Sequence, residues 1–581
     1  MKIKRLLIAN RGEIARRIIR ACRELDIETV AVYSDADAKA PHVAEADRAV
    51  RIGPPPSRDS YLNIAAVIDA ARTTKADAIH PGYGFLSERA PFARACEEAG
   101  LTFVGPPAAA LEKMGSKTGA RTLMAGAGVP VVPGETSTDQ TDAALSAAAG
   151  RIGYPVLIKP AAGGGGIGMK TVRESTALAD ALAAARREAR ASFGNDTLYV
   201  ERLIEKPRHV EIQVFADTHG HTVHLFEREC SAQRRHQKVI EESPCPALSQ
   251  KIREQMGEAA IAAARAVGYR NAGTCEFLLE GEGDSAKFYF LEMNTRLQVE
   301  HPVTEAVVGV DLVHAQLHVA SGEPLPFTQA SLSQRGHAIE CRVYAEDPSQ
   351  GFLPQAGTID LYREPQGPGI RVDSGITQGS EVSVFYDPLL AKLIAHAENR
   401  DAARRRALKA LQAFSIGGIT TNIGLLTQIL EHPQFVKAAI DTGFLDRELP
   451  ALVAHIPARD ETPAPQSFPP ATTDAAAQDP FMTLTGWRLD GRAAWTGTTS
   501  GVRTARRKTT SDSGVMAPMP ATVVSINATA GQTVKEGDTV IVLEAMKMEL
   551  PIKAPRSGVV KAVHCAKGDL VQPGITLLEI E

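Results

Sequence analysis

The sequence predicts an α/β body of three consecutive units, joined through a linker to a small all-β barrel. Three observations carry that expectation. Residues 1–113 alternate short apolar runs with runs of helical spacing, the pattern of an open parallel sheet covered by helices. Between Pro457 and Pro480 the composition turns to Pro, Ala, Thr, Asp and Gln, with Phe468 the one large apolar residue. Residues 517–543, moved forward by 37 positions, fall onto 554–580, so that Ala517 meets Ala554, Pro518 meets Pro555, Gly531 meets Gly568 and Gly537 meets Gly574.

In chain order, Leu6 to Ala9 reads as a buried strand, Asn10-Arg11-Gly12-Glu13 turns the chain, and Ile14 to Leu25 has helical spacing. Thr29 to Tyr33 and Ala76 to His80 read as further strands. His80-Pro81-Gly82-Tyr83-Gly84-Phe85 follows a strand end, where open α/β sheets place ligands. Residues 114–330 form a second unit with most of the polar constellations, and 331–449 a third, mixed α and β, closing on helical periodicity at Ala402 to Phe414 and Leu425 to Leu430. Residues 450–511 are expected to be a Pro-rich linker with a short docking remnant, because the stretch from Pro457 to Pro480 has too little apolar surface to offset chain entropy. Trp487 and Trp495, the only tryptophans, lie in it ahead of Arg503, Arg506, Arg507 and Lys508; they read either as a locally packed strand pair or as a docking patch for another subunit. About 60 flexible residues span about 40–45 Å, a reach that could carry the barrel between two active sites. Residues 512–581 are the barrel: each half is too small to bury its own apolar face, so the two pack together. Lys547, in Glu544-Ala545-Met546-Lys547-Met548, lies in the turn between the halves.

Composition narrows the function classes. A chain of 581 residues is too long for one core. A net charge of −4 gives no reason to expect nucleic acid or an anionic membrane as partner. No apolar run approaches the roughly 18–20 residues that span a bilayer, and strand-like residues begin at Ile3, which leaves no room for a leader. Seven scattered cysteines without a Cys-x-x-Cys pair suit a reducing compartment and argue against disulfides or zinc. The expected location is cytoplasmic.

The chemistry-bearing residues follow one another in a consistent order. Tyr154 to Lys159 is a strand ending in lysine, and Gly163, Gly164, Gly165, Gly166 and Gly168 come directly after it. Such glycines let backbone N–H groups approach phosphate oxygens. The run lacks the Gly-Lys-Ser/Thr ending of a Walker loop, and an ATP-grasp type clamp with Lys117 and Lys159 fits it better. Glu276, Glu292 and Asn294 at strand ends are hard oxygen ligands suited to magnesium on ATP phosphates. In Arg296-Leu297-Gln298-Val299-Glu300-His301-Pro302 an arginine fork can hold a small planar oxyanion beside Glu300 as general base. His209, the run Gln233 to Lys238 with His236 inside it, and Arg342 add further donors.

Two resemblances follow. The C-terminal repeat resembles the biotin carboxyl carrier domain, whose hallmark is Ala-Met-Lys-Met about 35 residues from the chain end; Lys547 is 34 residues from Glu581. A lipoyl domain is the nearest rival, but Met546 and Met548 favour biotin. Residues 3–446 resemble biotin carboxylase through Asn10 to Ala15, His80 to Glu88, Glu229 to Lys238 and Glu292 to Thr304. The resemblance implies an α/β ATP-grasp biotin carboxylase, with a Rossmann-like N-terminal subdomain, an ATP-grasp centre and a mixed α+β C-terminal subdomain, plus a biotinyl/lipoyl-type barrel. It implies that Lys117, Lys159, Glu201, His209, Gln233 and His236 serve ATP, with Ile204 and Leu278 beside adenine. It assigns Mg2+ or Mn2+ to Glu276, Glu292 and Asn294. Arg296, Gln298 and Val299 would bind bicarbonate with Lys238 nearby, Glu300 would deprotonate it, Arg342 would stabilise the biotin enolate, and Tyr83 would sit beside the biotin ring.

Three departures qualify the likeness. Ile167 stands where many members carry Arg or Lys, Ala521 replaces the usual glycine after Met519-Pro520, and only about 65 residues separate the two parts, too few for the subunit-docking domain of long α subunits. The expected protein is therefore a fused α subunit of the short actinobacterial type. It would carboxylate biotin on Lys547 with ATP and bicarbonate, after attachment by a biotin protein ligase. A separate carboxyltransferase β subunit in a hetero-oligomer would pass the group to acetyl- or propionyl-CoA. The alternatives are a subunit serving methylcrotonyl-CoA, pyruvate or urea, and, from another class, a carrier or scaffold whose ATP site is idle.

Overall fold

The computed structural model describes residues 2–135, 137–161, 168–235, 237–456, 514–546 and 548–581. The expected N-terminal alternation is present. Strands β1 (Arg5–Ile8), β2 (Glu28–Ser34), β3 (Arg48–Gly53), β4 (Ala78–His80) and β5 (Thr102–Phe103) form a parallel sheet in the order β3-β2-β1-β4-β5, with helix α1 (Gly12–Glu24) following β1. The strand order reverses between β1 and β4, so their carboxyl ends diverge into a crevice. Asn10 spans it, donating from Nδ2 to the carbonyls of Pro81 and Tyr83 at 2.7 Å each. Gly82 has φ +62°, and a Cβ there would lie 2.9 Å from Asn10 Nδ2, so the turn requires glycine.

A four-stranded sheet follows, in the order β6 (Gly134–Glu135), β9 (Leu198–Arg202), β7 (Val156–Pro160), β8 (Lys170–Val172). Its apolar face packs Val156, Ile158 and Val200 against Leu145 and Leu182 of two helices, which leaves Lys159 and Glu201 on the other side. The largest sheet runs β14 (Lys287–Asn294), β13 (Asn271–Glu280), β10 (Arg208–Ala216), β11 (Thr222–Arg234), β12 (Gln237–Ser243), β15 (His337–Tyr344), then Leu389–Ala397 and Ile370–Ser374. Pairing of β12 with β15 carries it without a break across the division expected at 330. Helices Arg400–Ala413 and Ile423–Glu431 cover its far end, where the helical periodicity placed them.

The C-terminal repeat forms two four-stranded sheets, and each mixes strands from both halves. Thr533–Val534 of the first half pairs with Gly558–Val563 of the second, and Leu570–Val571 of the second pairs with Ala521–Ile526 of the first. This exchange encloses one core of Val523, Ile541, Leu543, Val560, Leu577 and Leu578. The repeated glycines share a left-handed conformation, at φ +85° and +95° for Gly531 and Gly568 and +88° and +78° for Gly537 and Gly574. Thr539–Ala545 and Met548–Lys553 form a hairpin in which Ala545 faces Met548, with Met546 at φ +51° in the turn. No helix among the described residues is long and apolar enough to cross a membrane. Six of the seven cysteines are buried and all seven are free.

Candidate active site

The site is built on alternating strands that are buried on both faces. Along β10, Val210, Ile212 and Val214 enter the core while His209, Glu211 and Gln213 face the opposite side. Along β13, Cys275, Phe277 and Leu279 enter the same core, which turns Thr274, Glu276 and Leu278 to that opposite side. Register aligns Glu211 with Glu276, and Glu276 with Glu292. A row of carboxylates therefore crosses three strands.

Lys238 on β12 enters this row. Its ammonium donates to Glu211 Oε2 at 2.5 Å, Glu276 Oε1 at 2.8 Å and Glu300 Oε1 at 2.6 Å. Arg228 supports Glu211 from behind, with Nε 2.5 Å from Oε1 and further bonds to Gln213, Thr274 and Thr304. Arg342 donates from Nε to Glu241 Oε1 at 2.5 Å and from Nη2 to Glu300 Oε2 at 3.0 Å. Both oxygens of the fully buried Glu300 are thus held by cations. Burial pushes its carboxyl up, but Lys238, Arg342 and Arg228 outweigh it and hold the group well below the usual carboxylate range. Burial lowers the Lys238 ammonium, and Glu211, Glu276 and Glu300 more than reverse it, so it stays charged.

Lys238, Glu276 and Arg342 border a cleft of about 880 Å³. Lys159, Glu201, Ile204, His209, Gln233 and Leu278 line it, and Lys159 is ion-paired with Glu201. Glu276, Glu292 and Asn294 line it as well, with Lys238, Arg296, Gln298, Val299 and Arg342. Glu300 lies behind the lining, reached through Lys238 and Arg342. Arg234, inside the expected donor run, turns away to Glu346 at 3.1 Å and stacks on Phe352 at 3.6 Å. Tyr83 does not line the cleft; its hydroxyl donates to Glu13 and its carbonyl accepts from Asn10. Gly168 adopts φ +74°, where a Cβ would lie 2.9 Å from Pro160. Lys117 opens helix Lys117–Gly126, but its side chain falls outside the described set. Gly163, Gly164, Gly165, Gly166, Ile167, His236 and Lys547 lie outside the described residues, as do 457–511 of the expected linker with both tryptophans, while helix Phe444–Ala454 runs past the boundary expected at 450.

The lining fits the expected groups. Gln298 is 3 % exposed, and its Nε2, a donor, has no partner, so an anion oxygen would satisfy it. Arg296 next to it is fixed by Glu88 Oε2 at 3.1 Å, Gln298 Oε1 at 2.9 Å and Asn294 Oδ1 at 3.1 Å. Glu276, Glu292 and Asn294 supply oxygen donors suited to Mg2+ or Mn2+. At Glu276 the Oε1 atom accepts from Lys238 and from Asn294 Nδ2 at 2.8 Å each.

Several residues were missed by sequence reasoning. Glu211, Arg228 and Glu241 hold Lys238 and Arg342, Glu88 holds Arg296, and the buried Lys392 donates to the Val299 carbonyl at 2.8 Å and lies 3.2 Å from Glu13. The polar alternation His209, Glu211, Gln213 between Val210, Ile212 and Val214 was a legible signal for Glu211. Lys392 had none, since one lysine in Leu389–Ala397 reads as a solvent-facing residue.

Four family models match the chain: biotin carboxylase, N-terminal domain, at 2–111; carbamoyl-phosphate synthase L chain, ATP binding domain, at 116–328; biotin carboxylase C-terminal domain at 340–447; and biotin-requiring enzyme at 513–580. The mitochondrial methylcrotonoyl-CoA carboxylase subunit alpha of Glycine max is 52% identical over 445 residues, which are 77% of this chain and 61% of that protein. This chain thus spans about three fifths of that plant relative. The Rattus norvegicus protein of the same description is 39% identical over 675 positions, covering 100% of this chain and 93% of its own; that alignment is longer than this chain, so the relative carries segments without a counterpart here. The biotin carboxylase domain of Hydrogenobacter thermophilus 2-oxoglutarate carboxylase, solved with MgADP, ADP and bicarbonate, superposes with a TM-score of 0.74 at 44% identity, over 78% of this chain and 99% of that one.

Proposed function

The chain belongs to the biotin-dependent carboxylase family, joining a biotin carboxylase to a biotin-requiring domain, and on that premise we propose that it uses ATP and bicarbonate to carboxylate biotin held on its own Lys547. The observation that carries the proposal is Glu300 with both oxygens clamped by Lys238 and Arg342 beside the unpartnered Gln298 amide. Bound ATP with Mg2+ or Mn2+ would supply the phosphoryl group that activates bicarbonate, with ADP as the leaving group. Lys159, Glu201 and His209 would hold the nucleotide, a role the sequence also assigns to Lys117, His236 and the glycine loop. Arg296, Gln298 and the Val299 backbone bind bicarbonate.

Glu300 takes the bicarbonate proton. Its low proton affinity rises as Lys238 and Arg342 turn toward the anionic substrate and the uncovered carboxylate loses its two counter-charges. Arg342 then stands where negative charge develops on biotin. Glu300→Gln keeps the shape and removes the base; bicarbonate-dependent ATP turnover with free biotin falls by about 100-fold or more. Unchanged turnover in that variant rejects the assignment.

A separate carboxyltransferase β subunit receives the carboxyl group. We place methylcrotonoyl-CoA first among acceptors, ahead of acetyl- or propionyl-CoA, because the relatives above carry that description. The segments missing against the rat relative favour the second reading. Co-purification of the β subunit and its rates on the three acyl-CoA thioesters separate the two.

A further inference from the structure

Met546 is 2 % exposed although it sits in the hairpin turn at the end of the barrel and lies outside the barrel's own core. Four other barrel side chains, Met516, Val559, Leu570 and Ile575, are 38–50 % exposed, so burial of the turn residue is particular to it. Its backbone N–H donates to the Val384 carbonyl of the catalytic body at 2.7 Å. Leu353, also of the catalytic body, packs against the barrel core.

Neither Val384 nor Leu353 lines the cleft itself, but each is linked to the lining through its neighbours. Val384 is three residues ahead of Asp387, which lines the cleft, and Ala345, next to the lining Tyr344, is tied to Pro388 by a 2.9 Å backbone bond. Leu353 pairs with Asp347 in a two-residue ladder whose other end is Glu346. Glu346 holds Arg234, and Arg234 stacks on Phe352. Arg234 lies between Gln233 and Arg235, both of which line the cleft. The seat under the hairpin and the cleft wall are therefore one continuous structure.

We propose that Leu353 and the Val384 carbonyl form a docking seat for the chain's own barrel, with Met546 as the apolar anchor that brings the neighbouring residue 547 to the cleft. This rests on the proposed function and adds where on the catalytic body the carrier is received. The backbone bond ties the hairpin turn to the catalytic body, and Met546 and Leu353 each take apolar surface out of water. One methionine beside Lys547 thus serves presentation to the carboxylase.

The test uses the full-length biotinylated chain with radiolabelled bicarbonate, ATP and Mg2+, measuring label on the chain's own biotin and, separately, turnover of free biotin. Leu353→Asp lowers the rate of self-labelling by about tenfold or more and leaves free-biotin kcat/KM within about twofold. Leu353→Ala gives the same split at smaller amplitude and stands in if the aspartate variant does not fold. Self-labelling within about twofold of the unmodified chain in both variants overturns the seat. So does a parallel loss of both activities in Leu353→Ala, which assigns residue 353 to the fold. An unmodified chain that turns over no free biotin contradicts the proposed function instead.

Discussion

Arg228 shows how single side chains hold this site together. It is buried with no exposed surface and bonded to Glu211, Gln213, Thr274 and Thr304. Removing one partner of such a pair leaves a buried charge and typically costs about 3–5 kcal/mol. Arg228→Met should lower unfolding free energy by that amount in urea titrations. His80 makes a pH prediction. Its Nδ1 accepts from the Gly82 N–H at 3.0 Å, so the ring proton sits on Nε2, 3.1 Å from Gln316 Oε1. Burial lowers its pKa to about 4, against about 6.5 in the unfolded chain. Between those values the unfolded chain binds a proton that the folded one does not, so stability falls as pH drops from about 6.5 toward 4. His80→Asn should flatten that part of the urea-midpoint profile; an unchanged slope contradicts the assignment.

At the scale of elements, the barrel offers a symmetric test. Gly531 and Gly568 occupy equivalent turns at positive φ, and neither has an atom within 4 Å of the position a Cβ would take. The cost of Gly531→Ala and Gly568→Ala is therefore conformational alone, about 1–2 kcal/mol each. Hydrogen exchange of barrel amides should quicken alike in the two variants. The 37-residue repeat foretold this equivalence because turn glycines are fixed by local backbone demands. It did not foretell the exchange of strands between halves, which depends on how two apolar faces close on each other. The catalytic sheet divides the same way. Glu292 and Asn294 stand at the end of β14, as the apolar run before them suggested, whereas Glu276, expected at a strand end, lies in the middle of β13. Glu88, Glu241 and Lys392 act from elements remote in sequence, and no local pattern reports contacts of that separation.

For the whole molecule, the catalytic body and the barrel form one working unit if the carboxyl group is made in the cleft and delivered to Lys547. The order of units along the chain was legible because composition changes sharply at 457 and the repeat marks the barrel. The continuity of one sheet from β14 to Ile370–Ser374 was not, since β12 and β15 are separated by about 90 residues of chain. Tyr83, expected beside the biotin ring, donates its hydroxyl to Glu13 and stands outside the cleft lining. The most direct measurement is mass spectrometry of the full-length biotinylated chain after incubation with ATP, Mg2+ and labelled bicarbonate. The account predicts biotin on Lys547 carrying one labile labelled carboxyl group, lost in Glu300→Gln and, together with streptavidin binding, in Lys547→Ala, while Lys547→Ala keeps ATP turnover on free biotin. ATP hydrolysis with no label on residue 547, or streptavidin binding that survives Lys547→Ala, would contradict it.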